Sequence, residues 1–123
     1  MKLSPALFPV FAALAFAFPA VAHEAAKGPN GGQVADAGTY HLELVARGDA
    51  LEAFVFDAAD KPLTPAGFKA IALLVIEGKP QRISLEPSGN RLAGKATVTL
   101  PTSPKGAVQL TAPDGKTASA RFN

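Results

Sequence analysis

Apolar and polar residues alternate with a period of two, in short runs broken by glycine turns. No other feature constrains the fold of this chain as tightly. Thr39 to Arg47 places Tyr40, Leu42, Leu44 and Ala46 on one face and His41, Glu43, Val45 and Arg47 on the other. That is the mark of a half-buried strand. Gly48-Asp49 is a two-residue turn signal. Leu51 to Asp57 then returns with Leu51, Ala53 and Val55 opposite Glu52, Phe54 and Phe56, so the pair reads as a hairpin. Ala70 to Ile76 is wholly apolar and predicts a strand buried on both faces. A short helix is the competing reading there, because alanine and leucine favour helix. Gly78-Lys79 turns into Gln81 to Glu86, and Pro87 to Asn90 is a further turn. Arg91 to Leu100, Val108 to Ala112 and Thr117 to Phe122 complete the set. About seven short strands separated by turns predict an all-β domain over 33–123. Its expected form is a small antiparallel β-sandwich of immunoglobulin-like type.

The segment before this domain has a different character. Lys2 precedes an uncharged apolar stretch from Leu3 to Val21, and Ala20-Val21-Ala22 offers the small residues a signal peptidase requires. Pro5, Pro9 and Pro19 disfavour a stable spanning helix. Residues 1–22 are therefore expected to be a signal peptide cleaved after Ala22. His23 would become the first residue, and 23–32 would form a flexible, Gly/Pro-rich arm. The expected location is the periplasm, with no membrane association once the signal is removed.

The chain has no cysteine and a formal charge of only +2. The first fact removes disulfides, thiolate metal sites and a cysteine nucleophile. The second, with basic residues scattered singly along the sequence, removes nucleic-acid binding. Two histidines and no G-x-S-x-G element leave nothing to assemble a hydrolytic site, and the chain reads as a non-enzyme.

The residues with most chemical reach are the histidines. As a terminal residue, His23 would offer its α-amine and imidazole as a chelating pair suited to Cu(II) or Zn(II). The alternative is that its place at the cleavage point is incidental. His41 shares a strand face with Glu43, an arrangement that would serve as a ligand pair or as an ordinary solvated surface. Glu24 is a further oxygen donor. The candidate metal set is therefore His23, His41, Glu43 and Glu24. Asp57 and Asp60 sit three apart in a loop without calcium-loop spacing, and read as a solvated turn. Gly28-Pro29-Asn30-Gly31-Gly32 reads as a tight turn that leads the arm into the first strand.

Three elements in this order form a pattern: Gly28-Pro29-Asn30-Gly31-Gly32, then His41-Leu42-Glu43-Leu44, then Asp60-Lys61-Pro62-Leu63. In this the chain resembles the small periplasmic N-terminal domain of cobalt–zinc–cadmium-type heavy-metal efflux adaptors (membrane fusion proteins). It is still more similar to stand-alone exported proteins of that type. The resemblance implies a small β-sandwich associated with metal efflux. Members tend to carry a His-rich stretch before the glycine element, where this chain has His23-Glu24-Ala25-Ala26-Lys27 with a single histidine. Some also carry a loop histidine where Ala58 and Ala59 stand here. The expected function is that of a periplasmic accessory protein of heavy-metal homeostasis, binding Cu(II) or Zn(II) weakly and partnered by an efflux adaptor. The alternative is a metal-free interaction module that docks onto such an adaptor or another envelope protein.

Overall fold

The computed structural model describes residues 26–123. The expected signal peptide and the candidate ligands His23 and Glu24 lie outside the described residues. Eight strands follow one another: β1 (Gln33–Ala37), β2 (Tyr40–Arg47), β3 (Ala50–Phe56), β4 (Lys69–Ile76), β5 (Lys79–Ser88), β6 (Arg91–Lys95), β7 (Lys105–Thr111) and β8 (Thr117–Phe122). All pairings are antiparallel. The strand order across the sheet is β1-β2-β3-β6-β5-β4-β7-β8. No helix occurs among the described residues. The all-β antiparallel class expected from the alternation is the class the chain adopts.

Its closure differs from the expected sandwich. β5 is the longest strand and belongs to two neighbourhoods. Its first part, to Leu85, pairs with β4, and Glu86 to Ser88 pair with β6. A strand that continues from one half of a sheet into the other bends that sheet instead of leaving two separate layers. The edges β1 and β8 thereby come side by side, and the sheet is a nearly closed, barrel-like wrap. Gly94 makes the bend possible. A β-carbon there would lie 2.2 Å from the Ser84 carbonyl oxygen and 2.9 Å from Leu85 Cδ2. Only glycine lets β6 approach β5 that closely.

The inward faces fill the wrap with aliphatic side chains. Leu42, Leu44, Leu51, Leu74, Leu85, Leu92, Val108 and Leu110 are almost wholly buried. Tyr40 meets Phe68 edge to face, with ring centroids 5.3 Å apart. A second, smaller cluster of Val45, Phe54 and Phe56 lies on the outer face of β2 and β3. Both faces of β2 are therefore covered in its middle, from Leu42 to Val45.

Four readings of the sequence change. β1 is an additional strand, so there are eight. Its sequence, Gln-Val-Ala-Asp-Ala, is poor in strand-favouring residues and is held by its ladder with β2. β4 is a strand and not a helix, but it is buried on one face only. Ala72, Leu74 and Ile76 point inward, while Leu73 and Val75 are 51% and 56% exposed. Among the described residues no second layer covers that side. β6 stops at Lys95. Beyond it Ala96 and Leu100 donate backbone hydrogen bonds to Asp49 and Gly48, which ties the departing chain to the β2–β3 turn. The β4–β5 turn is Glu77-Gly78, both with positive φ, as a tight hairpin turn requires.

Replacing Gly94 with alanine should cost about 2–3 kcal/mol, the scale of an unrelieved core overpacking. Urea denaturation measures it. An unchanged midpoint would show that β6 and β5 do not depend on that close approach.

Candidate functional site

The outer face of β1, β2 and β3 gathers the polar chemistry of the chain. Period-two alternation puts Glu43 and His41 on this face, and pairing sets their neighbours. Glu43 stands opposite Val34 and Phe54, and His41 opposite Asp36 and Phe56. An outward strand residue normally meets solvent. Glu43 is 0% exposed.

The Gly28–Gly32 element covers it. Lys27 bridges to Gln33, and the Val34 amide donates to the Ala26 carbonyl at 2.8 Å. The intervening residues form a closed turn, with Gly28 N–H to the Gly32 carbonyl at 2.8 Å and Gly31 N–H to the Gly28 carbonyl at 3.0 Å. This turn lies over the Glu43 carboxylate. Asn30 donates its backbone N–H to Oε2 and its side-chain Nδ2 to Oε1, and Gly32 N–H also donates to Oε2, each at 2.8 Å. A buried carboxylate is costly unless its lone pairs are matched, and three donors match them here. The glycines are steric requirements. A β-carbon on Gly28 would lie 2.3 Å from Glu43 Cδ, and one on Gly32 would lie 2.3 Å from the Leu44 carbonyl oxygen. The motif read as a simple turn is thus a clamp on Glu43, and residues 26–32 are docked on the sheet.

His41 is the second feature. Its side chain is 27% exposed and stands between two carboxylates, with Nδ1 2.5 Å from Asp60 Oδ1 and Nε2 3.3 Å from Asp36 Oδ1. Asp60 is placed by its own loop. Asp57 Oδ1 accepts from the amides of Ala59 and Lys61. Asp60, at φ 62°, takes the left-handed conformation that aspartate tolerates. Phe56 bridges to Pro62, and Leu63 N–H donates to the Val55 carbonyl. The loop therefore folds back against the end of β3, beside His41. The hydrogen bond to Asp60 raises the His41 pKa above its ordinary 6.5. Desolvation opposes the rise, and the charges of Asp60, Asp36 and Asp57 add to it. When protonated, the ring donates Nδ1–H to Asp60 and holds Nε2 within ion-pair distance of Asp36.

The four candidate ligands have separate fates. His23 and Glu24 lie outside the described residues. His41 sits in an acidic cluster. Glu43 has both oxygens engaged by the clamp. Asp57 and Asp60, which the sequence presents as a solvated turn, and Asp36, which it does not single out, gather around His41, and their place was implicit. A two-residue turn at Gly48-Asp49 sets His41 opposite Phe56, so the acidic loop must begin beside it. The two carboxylates lie on opposite nitrogens of the ring and do not converge. Among the described residues no group of three or more His, Asp or Glu could hold a metal ion. A cation replacing the imidazolium proton would meet one nitrogen and one carboxylate, and would require a further donor. Comparison with family models, curated proteins and solved structures returned no match.

Two expectations follow from this geometry. Glu43→Ala should destabilise the fold by about 2–4 kcal/mol, because it leaves buried amides unpaired. Chemical denaturation reads the loss, and a change below about 0.5 kcal/mol would rule the clamp out as a stabilising element. For His41, a raised folded pKa means that its stabilising contribution is present below 6.5 and fades as pH rises through the folded value. An NMR titration of the His41 ring should place its midpoint above 6.5, and Asp60→Asn should move it down. A wild-type midpoint at or below 6.5 would contradict the imidazolium bridge.

Proposed function

We propose that this chain is an exported accessory protein of heavy-metal homeostasis that binds Cu(II) or Zn(II) weakly at His41. One observation carries the reading: His41 lies against carboxylates at the place where the N-terminal segment enters the fold. Ala26, Lys27, Phe56 and Asp60 line one shallow groove. His23 is three residues before Ala26, so the chain lets it reach about 10 Å from there. A terminal His23 would supply amine and imidazole nitrogens, His41 a third nitrogen, and Asp60 or Asp36 an oxygen. Such a mixed nitrogen–oxygen set suits Cu(II) and Zn(II), and the lack of cysteine and of any methionine but Met1 disfavours Cu(I). Glu43, committed to the clamp, drops out of the ligand set. The need to displace a proton from a stabilised imidazolium keeps the affinity low and pH-dependent.

The alternative, a metal-free module docking onto an efflux adaptor or another envelope protein, uses the fold without this chemistry. Calorimetric titration separates the two, on exported protein whose mass begins at His23. One-to-one binding of Cu(II) or Zn(II) should strengthen as pH rises through the His41 pKa. His41→Ala should weaken it about tenfold or more while leaving the circular dichroism unchanged. Absence of heat, or affinity indifferent to His41→Ala, would overturn the metal reading in favour of docking.

A further inference from the structure

Basic residues that stand singly in the sequence come together on one face of the fold. The outward residues of the β5-β4-β7-β8 half form cross-strand rows. Leu73 pairs with Arg82 on one side and Ala107 on the other, and Ala107 pairs with Arg121. The single row therefore runs Arg82, Leu73, Ala107, Arg121. In the next row Val75 lies between Pro80 and Lys105. Lys69 closes the opposite end of β4, across from Thr111. Leu73, one of the most exposed large aliphatic side chains in the described chain, thus lies among four cations from four strands, and Val75, another, lies beside Lys105 at the turn end of β4. The cross-strand partners in the Leu73 and Val75 rows hold no carboxylate; the nearest along the strands are Glu77 in the β4–β5 turn and Glu86 further along β5. Ion pairs among the described residues join His41 to Asp36 and Asp60 and Arg91 to Glu52, so none of the four cations is paired with a described carboxylate.

We infer that this face docks onto an anionic phospholipid surface, with Leu73 and Val75 set into the interface and Lys69, Arg82, Lys105 and Arg121 over the headgroups. Charge complementarity selects an anionic occupant. A lipid surface suits the rest of the face better than a folded protein does. Among the described residues these rows hold no aromatic side chain, whereas protein hot spots concentrate on tryptophan, tyrosine and arginine seated in pockets. A specific protein contact also buries about 800 Å² per partner with matched shape. A lipid surface needs only a shallow apolar contact and clustered cations. The inference departs from the expected absence of membrane association, and it does not rest on the metal reading.

Vesicle co-sedimentation tests it, with processed protein whose N-terminus is fixed by mass. Phosphatidylglycerol–phosphatidylcholine vesicles should bind the protein and pure phosphatidylcholine should not. Binding should weaken from about 50 mM to about 300 mM salt. Each cation removed should cost about fivefold, so the Arg82→Gln/Arg121→Gln pair should lose roughly twenty-fivefold. Leu73→Ser should weaken binding further, and Lys95→Gln, on the other half of the sheet, should change it little. No binding to anionic vesicles, or equal loss with Lys95→Gln, would overturn the proposal. Capture of polyglutamate by the same four cations without vesicle binding would overturn it too, and would reassign the face to an acidic protein.

Discussion

A buried carboxylate with three matched donors organises the functional side of this molecule. Glu43 lies outward on β2, where a charged residue would ordinarily be solvated, and the Gly28–Gly32 turn removes it from water entirely. The donors come from the turn and the acceptor from the strand, so neither is satisfied without the other. Docking this turn fixes where the N-terminal segment meets the sheet. It also lays Pro29 and Asn30 beside Phe54 and Phe56, which gives a small apolar cluster on an outer face something to pack against. The position of His41 and its aspartates relative to the entering chain follows from that docking.

The remainder of the fold follows from one continuous strand. Because β5 pairs with β4 and then with β6, the sheet curves into a wrap whose inside is aliphatic. Its two outsides are electrically unlike. Asp36, Asp57 and Asp60 cluster around His41 on one half. Arg82, Arg121, Lys69 and Lys105 stand around Leu73 on the other, with Val75 beside Lys105. A formal charge of only +2 conceals this separation, and the proposed cation site and the proposed anion-docking face lie on different halves of the domain.

Period-two alternation made most of the strands, their inward residues and the β2–β3 hairpin readable, because each depends on local pattern alone. Other features depend on what pairs with what. β1 has weak strand propensity and exists through its partner β2. The apolar run in β4 resembles two-sided burial, but among the described residues nothing packs over Leu73 and Val75. Barrel-like closure depends on Gly94, a residue whose importance lies in a contact with β5. At the site, the alternation places His41 and Glu43 together on the outer face of β2, where the registers have them. The aspartate neighbours of His41 come from other elements of the fold, through the registers of two turns. Glu43 was legible as His41's companion and illegible as buried, since only the docked turn removes it from solvent. The basic face was hidden most completely, for its four cations come from four strands.

The clamp is tested most directly by amide hydrogen exchange at Asn30 and Gly32. Both amides lie in a short N-terminal turn, where exchange is ordinarily fast. If they donate to a buried Glu43, they should exchange as slowly as the amides of β2 and β3, through opening of the domain. Exchange at the rate of an unstructured peptide would show that the turn is undocked, and would contradict the account at its base.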